Sequence, residues 1–295
     1  MDVQKILTDA AAKVGPSGQE MEVAEYFAEQ FRPFVDEVTV DSMFNVIAHK
    51  KGTGPKVALF AHMDEIGLMV VAIEEDGSLR LGNVGGVDPR ILPACRVWVH
   101  GKEKLFGTIG ALPPHLMKAE DQKQNYRRED LYVDVGLPAE KVRELVRVGD
   151  IVTFNVPSTP LLNGQFAAKT MDDRACVTML VETAERLRKL QCDADVYFVG
   201  STQEEVGSRG AKTAAYALDP DLAIAIDVDH ATIPGSRPNT TVDLDSLCAS
   251  IGPFLQPKLL KRLIDGAAAH HVKLQTTVAE RNTYTDGDDV ALARA

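Results

Sequence analysis

Apolar positions Ile6, Leu7, Ala10, Ala11 and Val14 recur at helical spacing until Gly15-Pro16, which predicts a first helix that stops there. Ser17-Gly18-Gln19-Glu20 then reads as a capping box, with the Ser17 hydroxyl and Glu20 carboxylate placed to satisfy free amides of a second helix. That helix is expected to bury Val23, Ala24, Phe27 and Phe31. Val35, Val38 and Val40 alternate with polar residues as a strand, Asp41 to Asn45 makes a turn, and Val46 to His49 leads toward the apolar run Val57-Ala58-Leu59-Phe60-Ala61, which ends at His62.

After Gly67 the pattern changes to short strand-like runs at Leu68 to Ile73, Leu79 to Leu81, Arg96 to His100, Lys104 to Ile109 and Leu131 to Val135, separated by Gly and Pro. Many short strands with such turns predict a small barrel or sandwich. The polar stretch from Ala119 to Asp130 reads as a surface loop. From Asn163 helix and strand alternate again: a helix over Arg174 to Leu190, a strand over Val196 to Gly200, a helix over Gly210 to Ala217, a strand over Leu222 to Val228, a helix over Lys258 to Ala269 and a strand over Val272 to Val278. The predicted architecture is an α/β domain formed by residues 1–67 and 163–295, interrupted by an inserted all-β, barrel-like domain at 68–162. Both borders of the insert fall close to the candidate site residues, so it should overhang them.

Composition narrows the partners. The 295 residues are 45% hydrophobic and 25% charged, ordinary for a soluble globular protein. A formal net charge of -11 without a Lys/Arg-rich block offers no electrostatic footprint for nucleic acid or an anionic membrane. Cys95, Cys176, Cys192 and Cys248 form no C-x-x-C pair, which argues against a zinc ribbon or a disulfide scaffold and suits reduced thiols in a cytoplasmic protein. The N-terminus has no leader-like apolar stretch and no later segment is long and apolar enough to span a bilayer, so neither export nor membrane insertion is expected.

Four segments carry metal-type side chains: His62-Met63-Asp64-Glu65, Lys169-Thr170-Met171-Asp172-Asp173-Arg174, Gln203-Glu204-Glu205-Val206-Gly207 and Ala225-Ile226-Asp227-Val228-Asp229-His230. Three follow apolar strands and one opens a helix, which fits the rule that ligands gather beyond the carboxyl ends of strands in α/β sheets. Imidazole and carboxylate without thiolate suit a catalytic zinc, cobalt or manganese site. Adjacent carboxylates beside a core are costly unless a cation or a proton offsets them.

Together with Pro113-Pro114-His115-Leu116 and Thr285-Asp286, these segments resemble, in order and over nearly the whole chain, the M42 family of metallo-aminopeptidases, the glutamyl aminopeptidase and TET-peptidase group. The resemblance implies a zinc-peptidase α/β sandwich carrying a β-rich dimerisation domain, two divalent ions per subunit (zinc or cobalt), peptide substrates cleaved at their N-terminus, and dimers assembling into a dodecamer. Carried over by position, it implies Asp172 as the bridging carboxylate, His62 and Asp227 on one ion, Glu205 on the other, Glu204 as general base and Asp64 as orienter of the His62 ring. The family continues beyond the Thr-Asp segment to a further strand and a final histidine ligand, whereas this sequence is given to Ala295; a weaker second ion site is the expectation, with Asp286, Asp288, His270 and His271 as the residues that could substitute. Cys176 and the stretch Val242 to Leu247 depart from the family pattern near the pocket. Two rival readings remain at this level: a related di-metal amidase or deacylase, and a non-catalytic subunit that keeps the fold without a working second ion. Asp286, Asp288 and Asp289 read either as support behind the metal ligands or as a polar turn, and His115 as a structural or oligomer residue.

Overall fold

A computed structural model describes residues 1–118, 120, 123–237 and 240–293. Helices α1 (Val3–Ala12) and α2 (Met21–Phe31) precede strands β1 (Glu37–Val40), β2 (Val46–Lys50) and β3 (Lys56–His62). A run of β4 (Gly67–Ile73), β5 (Leu79–Val84), β6 (Arg96–His100), β7 (Lys104–Ala111), β8 (Leu131–Asp134), helix α3 (Ala139–Leu145) and β9 (Ile151–Phe154) follows. The short pair β10 (Thr159–Pro160) and β11 (Phe166–Ala167) leads back to α4 (Met171–Leu187), β12 (Asp195–Ser201), α5 (Arg209–Leu218) and β13 (Leu222–Ala225). Last come β14 (Leu247–Ile251), α6 (Pro257–Ala269), β15 (Leu274–Val278) and α7 (Asp286–Ala293).

The main sheet has the order β1-β2-β12-β3-β13, antiparallel through β1, β2 and β12 and parallel through β12, β3 and β13. Strands β3 and β12 are covered on both faces, which is why they read as continuous apolar runs rather than as alternating ones. On one face α1, α2 and α4 bring Ala10, Phe27, Phe31, Val177, Leu180 and Val181 against Val46, Ala48, Ala61 and Phe198. The Phe31 and Phe198 rings stack there with centroids 5.9 Å apart. On the other face α5 and α7 pack Ala211, Ala214, Ala215 and Val290 onto Ala58, Phe60 and Val199, the alanines letting the helix backbone approach closely. The result is the expected α/β sandwich.

The intervening strands close a barrel in the order β4-β5-β8-β7-β6-β9, filled by Leu68, Leu79, Val97, Val99, Ile109, Leu131, Val133 and Val152. Closure falls to β9, where Val152 lies opposite both Leu68 of β4 and Val99 of β6. Neither β9 nor α3 stands out in the sequence: β9 is only Ile151-Val152-Thr153-Phe154, too short to show a period, and α3 has a single buried residue, Val142. The strand expected over Leu222 to Val228 stops at Ala225, although Ile226 still donates its N–H to the Phe60 carbonyl. Asp286, Asp288 and Asp289 open helix α7, where acidic residues favour the positive end of the dipole. Part of the polar stretch 119–130 lies outside the described residues, and Arg128–Asp130 forms a short 3-10 turn. All four cysteines are free thiols, and no helix among the described residues is long and apolar enough to cross a membrane.

Phe198→Ala is expected to cost about 3–5 kcal/mol of unfolding free energy, because it empties a fully buried ring site on the central strand. Urea denaturation of the two proteins checks this; a difference below about 1 kcal/mol would mean that the helices on this face are not packed on the sheet as described.

Candidate active site

The three parallel strands end at one level, with Ser201 of β12 in register with His62 of β3 and Ile226 bonded to Phe60 just past the end of β13. The segments that leave these ends carry Asp64 and Glu65, Glu204 and Glu205, and Asp227. The start of α4 supplies Asp172 and Asp173, which sit outside helical geometry (φ/ψ −83°/108° and −122°/27°) and are joined by a cis peptide bond. All six residues expected at the site therefore converge at the carboxyl edge of the sheet.

His62 is the centre of the cluster. Its Nε2 lies 3.0 Å from Asp172 Oδ1 and 3.9 Å from Glu204 Oε2. On the other side of the ring, Nδ1 is 3.2 Å from the Asp64 carbonyl oxygen and 3.4 Å from Asp64 Oδ1. Potential ligand atoms of His62, Asp172 and Glu205 lie within 4.8 Å of one another, and so do those of His62, Asp173 and Asp227. The second group brings in Asp173, which sequence reasoning treated only as the neighbour of Asp172; its complete burial at the helix start is the signal that sets it apart from a solvated cap.

The electrostatics of the cluster disfavour several ionised carboxylates side by side. Burial, reinforced by neighbouring acids, pushes Glu204 up to about 8, although the nearby His62 opposes the rise. Burial likewise pushes Glu205 and Asp286 to about 7 and Asp227 to about 6, and drives Asp173 well above the ordinary carboxylate range. For His62, burial alone would depress the ring, but hydrogen bonds to Asp172 and Asp64 override it and raise the imidazole well above its usual value. Asp64 also resists burial: its bonds to His62, Ser17 and the Glu204 amide hold it below the usual range. Asp173 Oδ1 and Asp286 Oδ1 are buried without a hydrogen-bond partner. Carboxylates crowded this way, with orphaned oxygens and an imidazole whose proton affinity they raise, form a donor set that fits divalent cations.

The supporting groups are equally specific. Arg174 is 1% exposed and donates to the carbonyls of Met63, Ala10 and Lys13, at 2.9, 2.7 and 2.9 Å, and to Glu65 at 3.4 Å. Lys169 pairs with the other oxygen of Glu65. The barrel reaches the cluster through Gly85, where φ is +77° and an added Cβ would stand 3.2 Å from the Glu205 Cβ; both the backbone and the space require glycine. The residues considered as additional ligands divide. Asp286 is buried, with one oxygen against the Ser201 hydroxyl and the other free. Asp288 instead holds the amides of Thr283 and Tyr284, and Asp289 pairs with Lys212. His270 and His271 are exposed at the end of α6, and His115 is exposed in a turn leading out of the barrel; none of the three belongs to a metal-type group among the described residues.

The expected capping box is not formed. Ser17 Oγ donates to Asp64 Oδ2 at 2.6 Å, Glu20 Oε1 accepts from the amides of Gly18 and Gln203 at 2.7 and 3.2 Å, and α2 begins at Met21 after the N-cap residue Glu20 with no side-chain cap. Tertiary partners outcompete the local pairing that the spacing suggested, and the motif belongs to the site rather than to the helix.

A family model of M42 glutamyl aminopeptidases matches residues 45–295. Lysyl aminopeptidase of Pyrococcus furiosus is 37% identical over 286 residues, 95% of this chain and 82% of that protein. A TET aminopeptidase from the marine sediment archaeon Thaumarchaeota archaeon SCGC AB-539-E09 superposes with a TM-score of 0.92 at 30% identity, covering 99% of this chain and 85% of the other. The TET1 peptidase of Pyrococcus horikoshii, which can assemble into a tetrahedron or a large octahedral shell, superposes with a TM-score of 0.84 at 30% identity over 98% of this chain and 87% of its own. Sequence, fold and the convergence of the four acidic segments agree: the chain belongs to the M42 glutamyl aminopeptidase family.

Proposed function

We propose that this protein is an aminopeptidase that removes N-terminal residues from peptides with the help of two divalent metal ions, zinc or cobalt. The observation that carries this reading is the meeting of His62, Asp172, Glu205 and Asp227 beyond three adjacent parallel strands, with Glu204 beside them. In this reading Asp172 would be shared between the ions, His62 and Asp227 would hold one, and Glu205 would hold the other. The closeness of Asp172 to both His62, at 3.0 Å, and Glu205, within 4.8 Å, supports the sharing, and the buried Asp173 supports a role in orienting the His62 strand end, since its Oδ2 accepts the His62 amide at 3.3 Å.

When bound, such ions supply Lewis acidity, polarising the scissile carbonyl and acidifying an adjacent water. Glu204 would act as the general base, its carboxylate accepting a proton from the attacking water and returning it to the amine nitrogen as the carbonyl carbon–nitrogen bond breaks. Its position suits the task, because it stands 3.9 Å from His62 Nε2, beside the ligand groups without belonging to either of them, which would leave a carboxylate oxygen for the proton. Asp64 fixes the His62 ring from the Nδ1 side, so that Nε2 is the nitrogen presented to the Asp172 side of the site.

The barrel, residues 68–162 in the expected division, serves in this reading as a dimerisation and lid domain. Its Gly85 turn against Glu205 and the assembly behaviour of the Pyrococcus horikoshii relative support that role. The free thiols support a cytoplasmic setting.

Glu204→Gln should bind zinc as the parent does while kcat on aminoacyl p-nitroanilides falls by about 10²–10⁴, since the amide keeps the shape and loses the base. Activity within tenfold of the parent would remove Glu204 from this role. Dialysis against a chelator should abolish turnover and zinc or cobalt should restore it; full activity in the stripped protein, verified by elemental analysis, would end the metal reading. Light scattering on the intact protein should return a mass several-fold above that of one chain, and a monomer at micromolar concentration would overturn the oligomer.

A further inference from the structure

The loop that precedes α2 makes its strongest contacts outside its own helix. Three successive amides of the turn after β12 are held by two buried carboxylates: Gln203 N–H donates to Glu20 Oε1 at 3.2 Å, Glu204 N–H to Asp64 Oδ1 at 3.0 Å and Glu205 N–H to Asp64 Oδ2 at 3.3 Å. Each carboxylate is in turn fixed from the N-terminal loop, Asp64 by the Ser17 hydroxyl at 2.6 Å and Glu20 by the Gly18 amide at 2.7 Å. The loop itself is pinned to the end of β3, where Glu65 N–H donates to the Gly15 carbonyl at 3.0 Å and Pro16 bridges Glu65 in parallel.

Two features show that this arrangement serves the turn. Gln203 has φ +57°, a left-handed conformation that a side-chain-bearing residue rarely adopts unless its surroundings impose it. Glu20 is 0% exposed and its Oε2 has no partner, a costly placement that a helix start does not need. A capping role would put Ser17 and Glu20 on amides of α2 and its cap, and those bonds are absent.

We infer that Ser17 and Glu20 are positioning residues that hold the 203–205 turn, and through it the Glu204 and Glu205 carboxylates, in working geometry. The inference rests on the reading of Glu204 as the base and Glu205 as a metal ligand. Ser17 is the cleaner test, because its side chain is part-exposed at the loop and removing the hydroxyl deletes only its bond to Asp64 Oδ2, which keeps the weaker one from the Glu205 amide.

The experiment compares Ser17→Ala, Ser17→Thr, Glu20→Ala and Glu204→Gln in the full chain, reading kcat and KM on aminoacyl p-nitroanilides, zinc dissociation by chelator competition, and thermal unfolding. Ser17→Ala and Glu20→Ala should each lower kcat about tenfold or more with KM within about twofold, and weaken zinc about tenfold, the scale on which groups that orient metal ligands act. Ser17→Thr, which keeps the hydroxyl, should recover at least about a third of parental kcat and zinc affinity. If Glu20→Ala does not fold, the Ser17 pair decides alone, and the zinc measurement decides where turnover is low. Parental kcat and zinc affinity in Ser17→Ala, beside an inactive Glu204→Gln, would overturn the inference and leave the base assignment standing. An active Glu204→Gln would overturn the base assignment instead, and the zinc arm would then judge the turn. A loss that falls on KM alone, or equal losses in the Ala and Thr variants of Ser17, would also overturn it.

Discussion

Negative charge gathered at the ends of β3, β12 and β13 is the constraint that organises this molecule. Glu204, Glu205, Asp173, Asp227 and Asp286 all resist ionisation where they stand, because burial strips them of water and each sits in the field of the others. The nearby fixed cations do not relieve them, since Lys169 and Arg174 are both engaged by Glu65. What the protein supplies is a scaffold stiff enough to hold these acids together: three strands locked in register, with packed helices on both faces. Such a donor set suits cations, because holding these acids together costs free energy that a positive charge would offset.

Arg174 shows how that stiffness is reached. Its guanidinium satisfies two carbonyls near the end of α1, the carbonyl of Met63 between His62 and Asp64, and the carboxylate of Glu65. One side chain thus fixes the start of α4, which carries Asp172 and Asp173, against both the first helix and the end of β3. A lysine could not make this set of contacts, since its single ammonium lacks the planar spread of donors.

Much of this was legible along the chain, for identifiable reasons. Strands β3 and β12 announce themselves because both faces are buried, and His62, Glu204 and Glu205 stand out because polar groups follow such runs abruptly. Asp227 reads the same way after β13. Ser17 and Glu20 mislead for the opposite reason: their spacing has a sufficient local explanation, and only the fold brings Asp64 and Gln203 to them. Asp173 is hidden by adjacency to Asp172, and the closing strand β9 by its brevity. The α7 start at Asp286 is obscured by glycine and acids that also suit a turn. Features whose cause is periodic burial survive in sequence, and features whose cause is a single long-range partner do not.

The placement of β12 between β2 and β3 has a consequence for how the molecule is made. Strands β2 and β3 leave the ribosome together but do not pair; the strand that joins them follows the whole barrel and α4. Until β12 inserts, both strands present open edges and an unfilled apolar slot, the kind of surface that invites association with other chains. The barrel, whose strands all lie in one continuous stretch, can close first and alone. The α/β half is therefore the late and vulnerable half of synthesis, its sheet completed by pairings of high sequence separation that form slowly.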